Sequence, residues 1–127
     1  MIEISSLRRW AVTAFLLAAT AMCSRPAIAG ADLGGTVNAI QVAADGTLWF
    51  SISPSAGTPN PATYCKPGWA GLNMFIPPSN SQYAYYYGML MTSLSKGTVA
   101  YVANVSVFNG SVPCDITQTG YGLVLFK

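Results

Sequence analysis

Ser93-Leu94-Ser95-Lys96 spells S-x-x-K, the one short string in this chain that resembles a catalytic nucleophile motif. In penicillin-binding enzymes the serine attacks and a buried lysine beside it manages the proton. Here the companion motifs are missing, and Lys96 falls at the end of an expected helix. The rest of the chemical inventory is thin. The chain has no histidine, so imidazole acid–base catalysis, a histidine-based triad and histidine metal sites are excluded. Its one glutamate, Glu3, lies near the start. Asp32, Asp45 and Asp115 stand in loop or turn contexts, and Asp45-Gly46 is itself a hairpin signal. No enzyme activity, cofactor or metal is expected. Asn104-Val-Ser and Asn109-Gly-Ser match the glycosylation sequon, but the second already reads as a turn.

The aromatic residues carry more information. Trp49, Tyr64 and Trp69 flank the loops around Cys65. Exposed, they could stack on sugar rings, because an aromatic body with a polar tip suits such contacts; packed inward, they are core. Four more tyrosines lie in SNSQYAYYYGMLMTSLSKG, residues 79–97, which has no charge before Lys96. Ser79 or Ser81 can cap a helix there, and Gly97 can end it in left-handed backbone. At 100° per residue, Tyr83, Tyr87, Leu90 and Leu94 share one face, flanked by Tyr86 and Met91, and this is the expected core face. Tyr85 and Met89 fall on the side that should be wet. Tyr and Met are enriched at interfaces, so this pair is the expected contact with another subunit or partner.

The elements that position these residues read mainly as strands. TVNAIQVA (36–43) and TLWFSIS (47–53) flank Asp45-Gly46 as a hairpin, with Leu48, Phe50 and Ile52 on one face. PSAGTPNPATY (54–64) is a proline-rich loop. WAGLNMFI (69–76) reads as a third strand, and the helix follows. TVAYVANVSVF (98–108) reads as a long strand in which Val99, Tyr101, Ala103, Val105 and Val107 alternate with more polar positions. Asn109-Gly110 is a second hairpin signal, and TGYGLVLFK (119–127) is a last strand. The order β-β-β-α-β-β is mainly β with one helix. It is the order of an OB-like five-stranded small barrel.

The chain begins as an export signal. Arg8 and Arg9 precede an apolar run from Trp10 to Met22, and Ala27-Ile28-Ala29 is a small-x-small cleavage site. Residues 1–29 therefore read as a secretory signal peptide and 30–127 as a single domain, secreted or periplasmic. The run is too short to span a bilayer as a helix, so stable membrane insertion after cleavage is not expected. Cys23 offers a lipidation variant, although Met22 before it is larger than such sites prefer. Cleavage removes every arginine, leaving Lys66, Lys96 and Lys127 against Asp32, Asp45 and Asp115. A formally neutral domain has no footprint for nucleic acid or anionic membranes. Cys65 and Cys114 remain and read as one disulfide in an oxidising compartment, with two free thiols as the alternative. A loop of about 50 residues closed this way is worth roughly 4 kcal/mol.

With its signal peptide, Cys65 and Cys114, the helix YAYYYGMLMTSLSKG and the strand TVAYVANVSVF, the chain resembles the OB-fold B subunits of bacterial AB-type toxins. SLSKGTVAYV is similar to the helix–glycine–strand transition of the subtilase-cytotoxin-like branch. The likeness is one of layout, and the family's sugar-contacting positions find no matching motif here. It implies a homo-oligomer that binds cell-surface glycans and delivers an exported A-subunit-like protein. The expected function is thus an exported binding module, self-associating and glycan-binding. The alternative is a periplasmic structural or inhibitory protein that engages another protein without catalysis.

Overall fold

The computed structural model describes residues 31–127. The expected signal peptide and Cys23 lie outside the described residues. The domain is mainly β with one helix, and its six strands form one curled sheet, a half-barrel in the order β5-β3-β2-β1-β4-β6. The strands are β1 Leu33–Val42, β2 Leu48–Pro54, β3 Met74–Ile76, β4 Val99–Val102, β5 Cys114–Asp115 and β6 Leu123–Phe126. The helix, α1, is Tyr83–Lys96. No helix among the described residues is long and apolar enough to cross a membrane.

The first hairpin forms where Asp45-Gly46 signals it. Gly46 takes positive φ, and the Asp45 carboxylate accepts the Thr47 N–H at 2.9 Å. β1 begins earlier than expected, at Leu33, because the GADLGG segment has work on both sides. Gly34 lies opposite Tyr101 of β4, and a Cβ there would come within 2.6 Å of the tyrosine ring. At Gly35 a Cβ would collide with the Ser53 carbonyl. β1 thus pairs with β2 along one side and β4 along the other.

Three expected strands are shorter or divided. Residues 69–71 form a 3-10 turn rather than the start of β3, because Ala70 and Gly71 adopt left-handed backbone. β4 stops at Val102. Asn104 is left-handed and its N–H donates to the Asp32 carboxylate at 2.9 Å, which turns Val105 into the core. The last strand begins at Leu123, after left-handed Gly120 and Gly122. A further short strand, β5, precedes it and pairs in parallel with β3, so the sheet has six strands where five were expected. Asn109-Gly110 makes a turn, but not a two-strand hairpin: the Gly110 N–H donates to the Tyr64 carbonyl at 2.9 Å.

Leu33, Leu48, Phe50, Met74, Ile76 and Val102 fill the concave side of the sheet, and Leu90 of α1 closes it. Ser93 is the buried residue on α1 that hydropathy does not foresee. Its hydroxyl donates to the Thr98 carbonyl at 2.6 Å and accepts the Val37 N–H at 3.0 Å. Val37 borders a register shift in β1, so its N–H needs a partner outside the ladder. Satisfying those two groups turns the helix by about 60° from the orientation that apolar spacing predicts. Tyr86, Leu90 and Ser93 face inward, with Tyr83 and Met89 packed beside them. Tyr87, Met91 and Leu94 are left exposed. The expected serine cap is also replaced: Gln82 stands at the N-cap position, and the Asn80 side chain accepts its N–H. Gly97 ends α1 in left-handed backbone, as expected.

Candidate functional site

The S-x-x-K string is a structural joint. Ser93 is fully buried and both its hydrogen bonds go to backbone, while Lys96 is exposed at the helix end. The three aspartates also serve turns. Asp32 holds Asn104, Asp45 holds Thr47, and Asp115 accepts the Thr117 N–H at 3.0 Å. Hydrogen bonds from the Thr47 backbone and hydroxyl hold the Asp45 carboxyl below the usual carboxylate value. Among the described residues, no group of three His, Cys, Asp or Glu is placed to hold a metal ion.

Cys65 and Cys114 form the expected disulfide, fully buried, with Cα atoms 5.2 Å apart. The bond is consistent with an oxidising compartment. The three aromatics around it have different surroundings. Trp49 stacks on Phe75 with ring centroids 4.9 Å apart, and its outer edge lies against Gly68, where a Cβ would approach within 2.9 Å. Tyr64 is half-buried and packs against the core. Trp69 is exposed on the neighbouring 3-10 turn. Of the three, only Trp69 is exposed, at 46%.

Two concavities lie at the other end of the sheet. The larger, about 530 Å³ and wide open, is a shelf on the convex face of β4 and β6. Ala100 and Val102 point into the core, so Val99 and Tyr101 point outward, opposite Phe126 and Val124 of β6. The inside of this strand is therefore set by its smaller residues. Tyr101 and Phe126 meet edge to face at 5.0 Å above Gly34, and Asp32 stands at the rim. The lining is mostly apolar.

The smaller concavity, about 150 Å³, lies between the first half of α1 and the start of β6. Tyr85 (75% exposed) and Tyr121 (70% exposed) flank it, and the Gln82 side chain borders it. Tyr86 is only 8% exposed, but it lines this cleft with its hydroxyl beside Gly122, where a Cβ would come within 3.4 Å. Met89 borders the cleft while packing against the core, so the expected interface pair Tyr85 and Met89 is divided between solvent and interior.

Comparison with family models, curated proteins and solved structures yields no match.

Sequence reasoning passed over Tyr101, Phe126, Tyr121 and Gln82. The alternation through 98–108 pointed to Tyr101, but only the register with β1 tells which face it occupies. Tyr121 stands between two glycines, and its position depends on the left-handed backbone at Gly120 and Gly122.

Proposed function

We propose that residues 30–127 are an exported, non-catalytic binding module of OB-like layout. It self-associates and takes a glycan, in the manner of the toxin B subunits it resembles. The observation that carries this reading is the aromatic, uncharged surface around α1 and β6: a tyrosine-flanked cleft on one side and exposed Tyr87, Met91 and Leu94 on the other. Tyrosine suits sugar contacts, and an i, i+4, i+7 apolar stripe suits a helix that another subunit covers. The OB-like layout gains support from the chain's last segment, which meets β3 in parallel through β5 and β4 in antiparallel through β6. Taken as one broken fifth strand, β5 and β6 would complete the barrel order.

Light scattering and a glycan array on the cleaved protein test the reading together. The expected result is a mass above the monomer and binding to a restricted set of glycans. Tyr87→Lys with Leu94→Lys should lower the mass to that of the monomer. A monomer with a blank array overturns the proposal.

The second reading, a periplasmic structural or inhibitory protein, draws on the apolar shelf. Tyr101, Phe126, Val99 and Val124 offer a surface better matched to a protein side chain than to a sugar. A blank array together with stoichiometric inhibition of an exported enzyme, lost in Phe126→Asp, moves the conclusion to this reading.

A further inference from the structure

We propose that the cleft between Tyr85 and Tyr121 binds a single uncharged pyranose ring. The inference rests on the glycan-binding reading and names the site and the sugar class. Three features converge there. Two tyrosines stand mostly in solvent on either side of a small concavity, from α1 and from the turn before β6, where their rings can cover the apolar C–H faces of a sugar. Between them, Tyr86 is more than nine-tenths buried, lines the cleft and makes no hydrogen bond to another described residue through its hydroxyl. Its ring is buried while its hydroxyl lies at the cleft beside Gly122, where it can both donate to and accept from a ligand. The Gln82 amide, at the end of α1 that borders the cleft, adds both a donor and an acceptor.

The lining also sets the charge of the ligand. Gln82, Tyr85, Tyr86, Met89, Tyr121 and Gly122 contribute no cation, and Lys96 lies at the opposite end of α1. A sialic acid or sulfated sugar would bring an anion with nothing to pair it. Neutral hexoses and N-acetylhexosamines match the size and the hydrogen-bonding capacity. The left-handed backbone at Gly120 and Gly122 aims Tyr121 at the cleft, which makes the turn before β6 part of the site.

The test is saturation-transfer NMR and titration of the cleaved protein. The probes are the methyl glycosides of glucose, galactose, mannose, N-acetylglucosamine and N-acetylneuraminic acid. At least one neutral glycoside should bind, with the acidic one weaker. Tyr121→Ala should weaken binding about tenfold through lost stacking. Tyr86→Phe should weaken it about fivefold, one hydrogen bond's share. Trp69→Ala, at the distant disulfide end, should leave it unchanged. Binding that survives Tyr121→Ala and Tyr86→Phe but disappears in Trp69→Ala overturns the cleft and leaves the glycan-binding reading standing. Preference for the acidic sugar overturns the assignment of an uncharged ligand. No binding of any probe, together with a blank glycan array, overturns both. Tyr121 is exposed and Tyr86→Phe removes one oxygen, so an unchanged thermal midpoint in both variants separates lost recognition from lost folding.

Discussion

The two edges of the sheet are finished in opposite ways. At the β5 edge the chain is closed covalently: Cys114 is bonded to Cys65, and Trp49 is packed between Phe75 and Gly68. At the β6 edge the closure is noncovalent. Val124 and Phe126 (53% exposed) point to solvent, Tyr101 lies over a glycine, and Tyr121 projects from a turn with two left-handed glycines. Apart from exposed Trp69, one edge has its aromatics committed to packing, and the other presents them. The candidate binding surfaces gather at the second edge because the first is already spent on holding a small domain together. In a domain of this size the disulfide adds to a modest buried surface and fixes the β5 edge covalently.

The largest effect that would break this contrast is removal of the staple. Replacing Cys65 and Cys114 by alanine should cost roughly 4 kcal/mol in urea unfolding. Hydrogen exchange should rise first in β5 and the neighbouring 61–65 segment, with β6 following only at global unfolding. Simultaneous loosening of both edges would show that the staple holds the whole sheet rather than one side.

Ser93→Ala should come next, at about 2 kcal/mol, because it leaves the buried Val37 N–H without its partner. The urea midpoint reads the loss, and any saccharide binding should persist. Phe126→Ala should be milder, about 1 kcal/mol, since it breaks one exposed aromatic pair. A cost equal to that of the disulfide variant would erase the distinction between a locked edge and a displayed one.

The smallest effects concern pH and the hairpin beneath α1. Burial, then the neighbouring Tyr87 and the Asp45 carboxylate, raise the Tyr83 phenol above its ordinary value, and its hydroxyl donates to the Gly46 carbonyl at 2.7 Å. The folded state therefore favours the protonated phenol. Its contribution to stability is complete below about pH 10 and is lost as pH rises through the raised folded value. Tyr83→Phe should flatten that alkaline limb. Asp45 is displaced the other way, so its contribution is present above about pH 4 and is lost as pH falls through the lowered folded value. Asp45→Asn should flatten the acid limb. Thermal midpoints across pH measure both.

Local signals foretold local structure well. Asp45-Gly46 makes the first hairpin, Leu48, Phe50 and Ile52 face the core, and Gly97 ends the helix. What the sequence hid depended on distant partners. Ser93 is polar and would be placed outside by any apolar pattern. It is inside because the Val37 N–H, at a register shift in β1 56 residues away, needs a hydrogen-bond acceptor there. Ala100 and Val102 are smaller than Tyr101 and yet face inward, because the crossing at Gly34 leaves room for a large ring only outside. The Tyr85–Tyr121 cleft joins two segments whose meeting no spacing rule encodes, whereas the Cys65–Cys114 pair was legible from compartment and count alone.

The pairing of β1 with β4 has a consequence for the order of events during synthesis. The strand that leaves the ribosome first is flanked on one side by its own hairpin partner, but on the other by residues made far later, Leu33 beside Val102. β4 in turn waits for β6, which ends at Phe126. The early hairpin must remain half-matched until β4 and β6 have been made, so folding should be slow. For a chain read as exported, that delay would be useful: a polypeptide that cannot finish its sheet early stays threadable until it has crossed.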